Sequence, residues 1–170
     1  MPKLNPVVEA IKGRRTTRGY QPGPVTREQL ETIVDCGRLA PNALNEQAWE
    51  FTVITEAETL KALAHLLLEN GPFLADASAC IVVSGARSHR SVYLDGAAAT
   101  ENMLLAIHAL GLGGCWIQAY DKSYNSSVMK LLDIPTSQTL VAILSIGVPF
   151  GYVTTPQKRS LDDVLHWEKF

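Results

Sequence analysis

Asp95-Gly96-Ala97-Ala98-Ala99-Thr100-Glu101-Asn102-Met103-Leu104-Leu105-Ala106-Ile107-His108-Ala109-Leu110 is apolar or small almost all round, and Gly111 follows it. A helix of this composition has little surface suited to water, so it reads as buried on every side, within the fold or against a second chain. Gly111 reads as its stop. Upstream, Ala79-Cys80-Ile81-Val82-Val83-Ser84 is a continuous apolar run, the pattern of a strand covered on both faces. Residues 85–92 then read as a polar loop. Downstream, Cys115–Ala119 and Thr139–Ser145 read as two further strands around a helix from about Ser123 to Leu132.

The N-terminal half continues the alternation. Asn5-Pro6 starts a helix that carries Val7, Val8 and Ile11 on one side and stops at Gly13. Thr26-Arg27-Glu28-Gln29 has the form of a capping box, and Leu30, Ile33, Val34 and Gly37 keep helical spacing up to the Ala40-Pro41 break. Glu50–Thr55 alternates as a strand does; Leu60, Leu63, Ala64, Leu66 and Leu67 mark a helix that ends before Gly71-Pro72. Ser160-Leu161-Asp162-Asp163 predicts a final short helix, with Trp167 and Phe170 left exposed in the tail. Strands alternating with helices predict an α+β fold, an α/β sandwich with helices flanking a central mixed sheet, in a single domain over residues 1–170.

Composition narrows the classes. With 170 residues and 46% hydrophobic content the chain can bury a substantial core, and its net charge of −2 does not favour nucleic acid as a partner. Cys36, Cys80 and Cys115 are odd in number and far apart, which fits buried thiols in a reducing compartment and neither a disulfide framework nor a metal site. His65, His89, His108 and His166 do not cluster with other ligands. The start, Met1-Pro2-Lys3-Leu4-Asn5-Pro6, has no apolar core of signal-peptide length, and no later run approaches the ~20 residues of a membrane span. The expectation is a cytoplasmic protein with neither membrane nor nucleic-acid contact.

Two stretches carry chemistry. Arg14-Arg15-Thr16-Thr17-Arg18 gathers three cations and two hydroxyls in five residues, a composition suited to a phosphate, although a solvated basic patch has the same look. Asn42, Asn45 and Gln47 bring carboxamides to a Pro-containing loop, where each can donate and accept towards the edge of a heteroaromatic ring. Together they suggest a nucleotide-like cofactor. Gly111-Leu112-Gly113-Gly114 follows a helix rather than opening one, so it is no dinucleotide fingerprint. No Ser/His/Asp set or nucleophile elbow supports hydrolysis.

The run Arg14 to Tyr20, Pro24-Val25, and Ala40-Pro41-Asn42 through Asn45, Gln47 and Trp49 resembles the N-terminal signature of the nitroreductase family of flavin enzymes. Asp95–Ala99 through Ala109–Gly113 and Cys115-Trp116-Ile117 is similar to that family's central helix and glycine turn, and Ile146–Pro149 followed by Lys158-Arg159 resembles its closing segment. The resemblance implies an FMN-dependent, NAD(P)H-using oxidoreductase. Such an enzyme is an interlocked homodimer that reduces nitroaromatics, quinones or similar electrophiles by ping-pong hydride transfer, with no obligatory catalytic side chain. It places Arg14, Arg15, Thr16 and Arg159 at the flavin phosphate with Lys158 beside them, Arg18 and Asn70 at the ring, and Gly113 where backbone approaches the flavin. Pro41, Asn42, Ala43 and Asn45 fall on the loop that reaches the flavin from the other subunit.

The chain also departs from the family pattern. Asn42 stands where serine is usual, and Phe73 where many members carry a lysine, which implies fewer cations around the ring and hence a lower reduction potential or a different substrate preference. The lid between Ser84 and Asp95 is short; Arg87, His89 and Arg90 there are either solvated or able to meet a nicotinamide cofactor's phosphates. Read alone, Lys158-Arg159 is a solvated pair and Asn70 a helix cap. The competing class is a flavin-carrying or redox-sensing binding protein without substantial turnover.

Overall fold

The computed structural model describes residues 5–151 and 153–170. Met1–Leu4, part of the start read above, and Tyr152 lie outside the described residues. The elements run α1 (Pro6–Gly13), β1 (Tyr20–Gln21), α2 (Arg27–Arg38), β2 (Trp49–Ile54), α3 (Ala57–Leu67), β3 (Ala79–Ala86), α4 (Val92–Ala109), β4 (Gly113–Gln118), α5 (Asn125–Leu131) and β5 (Gln138–Pro149).

β5 is the common strand. β3 and β4 both pair with it at Ser145, through Cys80 and Cys115, and therefore occupy its two edges; β1 pairs with its end and β2 lies outside β3. These ladders are antiparallel, so the sheet is antiparallel where a mixed one was expected, and the one parallel pairing among the described residues is the isolated Thr16–Gly114 bridge. The apolar run of β3 is buried on both faces, as its composition requires. Cys80 and Val82 enter a core with Leu60, Leu63 and Leu67 of α3 and Val128 of α5. Ala79, Ile81 and Val83 enter a second core with Leu30 and Ile33 of α2 and Met103, Leu104 and Ile107 of α4. The result is a three-layer α/β sandwich.

Local signals explain the element ends. Asn5 Oδ1 accepts the Val7 N–H at 2.9 Å at the start of α1. Thr26 and Gln29 form the reciprocal capping box at the start of α2. Gly111 takes φ +74° just beyond α4, the left-handed position that favours glycine.

Two expectations need correction, and a third is narrowed. α4 begins at Val92, one turn before Asp95, because Val92 extends the apolar stripe and the Asp95 N–H donates to the Ser91 carbonyl at 2.9 Å. Nor is α4 covered on every side within this chain: Leu94 is 76% exposed, and Ala97, Ala98, Leu105 and Ala106 are half-buried. Finally, Ser160–Asp163 makes a turn and no helix. Ser160 and Asp163 exchange capping bonds at 3.2 Å, but Leu161 and Val164 are exposed, and an isolated turn lacks the packing that sustains a helix. Trp167 and Phe170 are exposed in the tail, as expected. No helix among the described residues is long and apolar enough to cross a membrane.

Candidate flavin site

The basic segment is fixed by its backbone. α1 ends at Gly13, and the chain then runs alongside the start of β4, where Thr16 bridges Gly114 and the Thr17 N–H donates to the Gly114 carbonyl at 2.9 Å. The buried Tyr20 hydroxyl donates to the Thr17 carbonyl at 2.8 Å and lies 2.6 Å from Ser145 Oγ. With its single proton committed to Thr17, Tyr20 receives the proton of Ser145. Burial pushes the Tyr20 hydroxyl well above its ordinary pKa, so it remains a neutral strut.

On this frame Lys12, Arg14, Arg15, Thr16 and Arg18 line a hollow of about 490 Å³, closed from the other side by Thr154, Thr155, Pro156 and Lys158. The two ends of the sequence meet here. Arg15 joins them: its guanidinium donates to the Lys12 and Arg14 carbonyls at 2.7 and 2.9 Å and to Thr155 Oγ1 at 3.3 Å. Arg14 Nε lies 3.5 Å from Glu101 of α4. The Arg18 guanidinium lies 6.0 Å from the centre of the Phe73 ring, and burial raises the pKa of the Cys115 thiol while Arg18 opposes that rise. Arg159 is not part of the hollow's lining and donates to the Asp163 carbonyl in the tail turn.

The other expected residues are accounted for locally. Gly113 lies against Thr17; a Cβ there would come within 2.7 Å of Thr17 Cγ2. Asn70 donates to the Leu67 carbonyl at 3.4 Å at the end of α3, the bond of a helix cap. Pro41, Asn42, Ala43 and Asn45 lie on a separate loop and do not line the basic hollow. Asn42 Oδ1 accepts the Gln47 N–H at 2.9 Å, so this side chain shapes its own loop. Leu44, Asn45 and Gln47 all have positive φ, at 52°, 56° and 50°, and Leu44 is 91% exposed. Three left-handed non-glycine residues in one turn are strained, and such strain concentrates at functional sites.

One side-chain network was not legible as such. Asp95, read only as a helix start, accepts the Ala43 N–H, and His89 bridges Asp95 to Glu46. His89 is therefore neither solvated nor free for a cofactor phosphate, and Arg87 is held by the Thr136 and Gln138 carbonyls at 3.2 and 2.8 Å. A buried aspartate in an otherwise apolar helix was the available signal, since a carboxylate there needs a donor. Among the described residues no group of His, Cys, Asp or Glu could hold a metal ion.

A cationic hollow beside the edge of a three-layer sandwich defines a domain suited to a phosphate-bearing ligand. The profile of the nitroreductase family matches residues 11–72 and 65–148. A protein of Archaeoglobus fulgidus provisionally named NADH dehydrogenase/NAD(P)H nitroreductase is 36% identical over 149 residues, covering 84% of each chain. An FMN-dependent nitroreductase from Clostridium difficile superposes with TM-score 0.86 at 27% identity, over 96% of this chain and 99% of that one. A structure from Desulfovibrio desulfuricans, provisionally named a nitroreductase and solved in complex with FMN, gives TM-score 0.83 at 30% identity over 99% of each chain. The chain belongs to the nitroreductase family, a family of oxidoreductases.

Proposed function

We propose that this chain is an FMN-dependent oxidoreductase that takes reducing equivalents from NAD(P)H and passes them to electrophilic small molecules such as nitroaromatics or quinones. The observation that carries the reading is the basic hollow, where Lys12, Arg14, Arg15, Thr16 and Lys158 converge from opposite ends of the chain. That donor set fits a phosphate dianion, each charge-assisted bond contributing roughly 1.5–3 kcal/mol when partly shielded. Bound FMN would supply the hydride chemistry of both half-reactions. The protein positions the ligand and sets its electrostatics, and no side chain need act as an acid or base. Arg18, in the lining of the hollow, would stabilise negative charge that develops at a ring held there.

The site is complete in a homodimer. The open face of α4 (Ala97, Ala98, Leu105), together with the exposed Val7, Ile11 and Leu39, offers an apolar seam for a second copy. The tail's Leu161, Trp167 and Phe170 likewise lack cover within their own chain. The Pro41–Asn45 loop, remote from its own basic hollow, would then serve the partner's flavin. Three free cysteines, two of them buried, fit a cytoplasmic setting.

Purified protein titrated with FMN and then with NAD(P)H tests the reading. Flavin that binds, bleaches and is recoloured by a quinone or nitroaromatic supports it. Flavin that binds but stays oxidised points to a carrier protein, and no binding refutes the flavin assignment.

A further inference from the structure

Asp95, His89 and Glu46 form a chain of contacts behind the amide loop. In the first turn of α4 the Asp95 carboxylate, 9% exposed, accepts the Ala43 N–H at 3.3 Å (Oδ1) and 3.2 Å (Oδ2). His89, with its side chain 8% exposed, places Nε2 2.8 Å from Asp95 Oδ2 and Nδ1 2.9 Å from Glu46 Oε2. Ala43 and Glu46 bracket the left-handed residues Leu44 and Asn45, and Gln47 follows with the same handedness. Leu44 gains no burial from this shape within its own chain. The strained turn is therefore gripped on both sides by side chains from outside it.

We propose that Asp95 is a positioning residue for the flavin-facing loop, holding it directly at Ala43 and, through protonated His89, at Glu46, so that flavin affinity depends on the charge of His89. This rests on the reading that Pro41–Asn45 contacts flavin. Both carboxylates only accept hydrogen bonds, whereas neutral imidazole has one N–H and imidazolium has two. Both limbs close only on the charged ring. The hydrogen bond to Asp95 raises the His89 pKa above its ordinary value of 6.5, burial opposes this, and Glu46 adds to the rise. Asp95 from α4 and Glu46 from the loop are the charged groups facing the ring, while Arg87 is directed at the Thr136 and Gln138 carbonyls. Because the folded pKa is raised, the latch contributes fully below about 6.5 and is lost as pH rises through the folded value.

The test combines FMN binding at about pH 6 and pH 9 with NMR titration of flavin-free protein, for the wild type, His89→Gln and Glu46→Gln. Wild-type affinity is expected to fall several-fold between the two conditions. His89→Gln should show the weaker affinity at both, and Glu46→Gln should shrink the step. The backbone amides of Ala43 and Glu46 should shift with the same midpoint as the His89 ring. A His89→Gln protein with wild-type affinity and a wild-type step overturns the proposal, as do loop amides indifferent to His89. Should His89→Gln fail to fold, Glu46→Gln, at the half-exposed outer limb, decides by the same criteria. Absence of FMN binding in the wild type counts against the flavin reading, and the amide titration still decides whether the latch exists.

Discussion

Thr17 occupies the space that a side chain at Gly113 would need: a Cβ built at Gly113 would fall 2.7 Å from Thr17 Cγ2 and 2.9 Å from its Oγ1. Thr17 also donates its N–H to the Gly114 carbonyl, so the contact sets the distance between the basic segment and β4. Gly113→Ala should therefore displace the segment bearing Arg14 to Arg18, destabilising the protein by about 1–3 kcal/mol and weakening FMN binding. Thermal melts and flavin titration check this. Unchanged values in both would show that the contact relaxes freely.

Arg14 and Lys158 line the basic hollow, whereas Arg159 is engaged by the Asp163 carbonyl. Arg14→Ala and Lys158→Ala should each weaken FMN binding by roughly 10- to 150-fold, the equivalent of one charge-assisted bond of about 1.5–3 kcal/mol. Arg159→Ala should change it far less. Equilibrium titration of the three variants ranks them, and a loss confined to Arg159→Ala would reverse the assignment of the pair.

Arg18 lies close to both Phe73 and Cys115. On the proposed assignment of Arg18 to the flavin ring, Arg18→Gln withdraws positive charge from beside it and should lower the flavin reduction potential. Spectroelectrochemical titration reads that shift; an unaltered potential would mean that the guanidinium does not face the flavin.

Ala99 and Leu105 separate folding from assembly. Ala99 is 0% exposed, in a small cluster with Ala40 and Trp49, so Ala99→Glu buries an unpaired charge and should prevent stable folding. Leu105 is only half-buried and belongs to the face proposed for a second copy, so Leu105→Glu should leave the fold intact and shift the protein towards monomer. Light scattering with circular dichroism distinguishes the outcomes. A Leu105→Glu protein that remains dimeric would move the seam elsewhere.

Most of the architecture was legible because it rests on local rules. The Asn5 and Thr26 caps, the Gly111 stop and the two-sided apolar run of β3 each specify their element from a few residues. The tail helix was misread for a physical reason: Ser160 and Asp163 make reciprocal capping bonds, yet no core lies within reach of Leu161 and Val164. The basic cluster, evident in the sequence, lines a cationic hollow. Its closure by Lys158 depended on a contact spanning most of the chain, which periodicity does not reveal. The His89 bridge was hidden for the same reason, since Glu46 and Asp95 are far apart in sequence and meet only through packing of the loop on α4.

The most direct measurement is an anaerobic titration of the purified protein, reconstituted with FMN, with NADH and NADPH, followed by addition of a quinone. The expected result is about one FMN per chain, loss of the oxidised flavin absorbance with at least one nicotinamide, and its return on adding the acceptor. A protein that leaves FMN unbound, or binds it and remains oxidised with both nicotinamides, would contradict an NAD(P)H-driven flavin oxidoreductase.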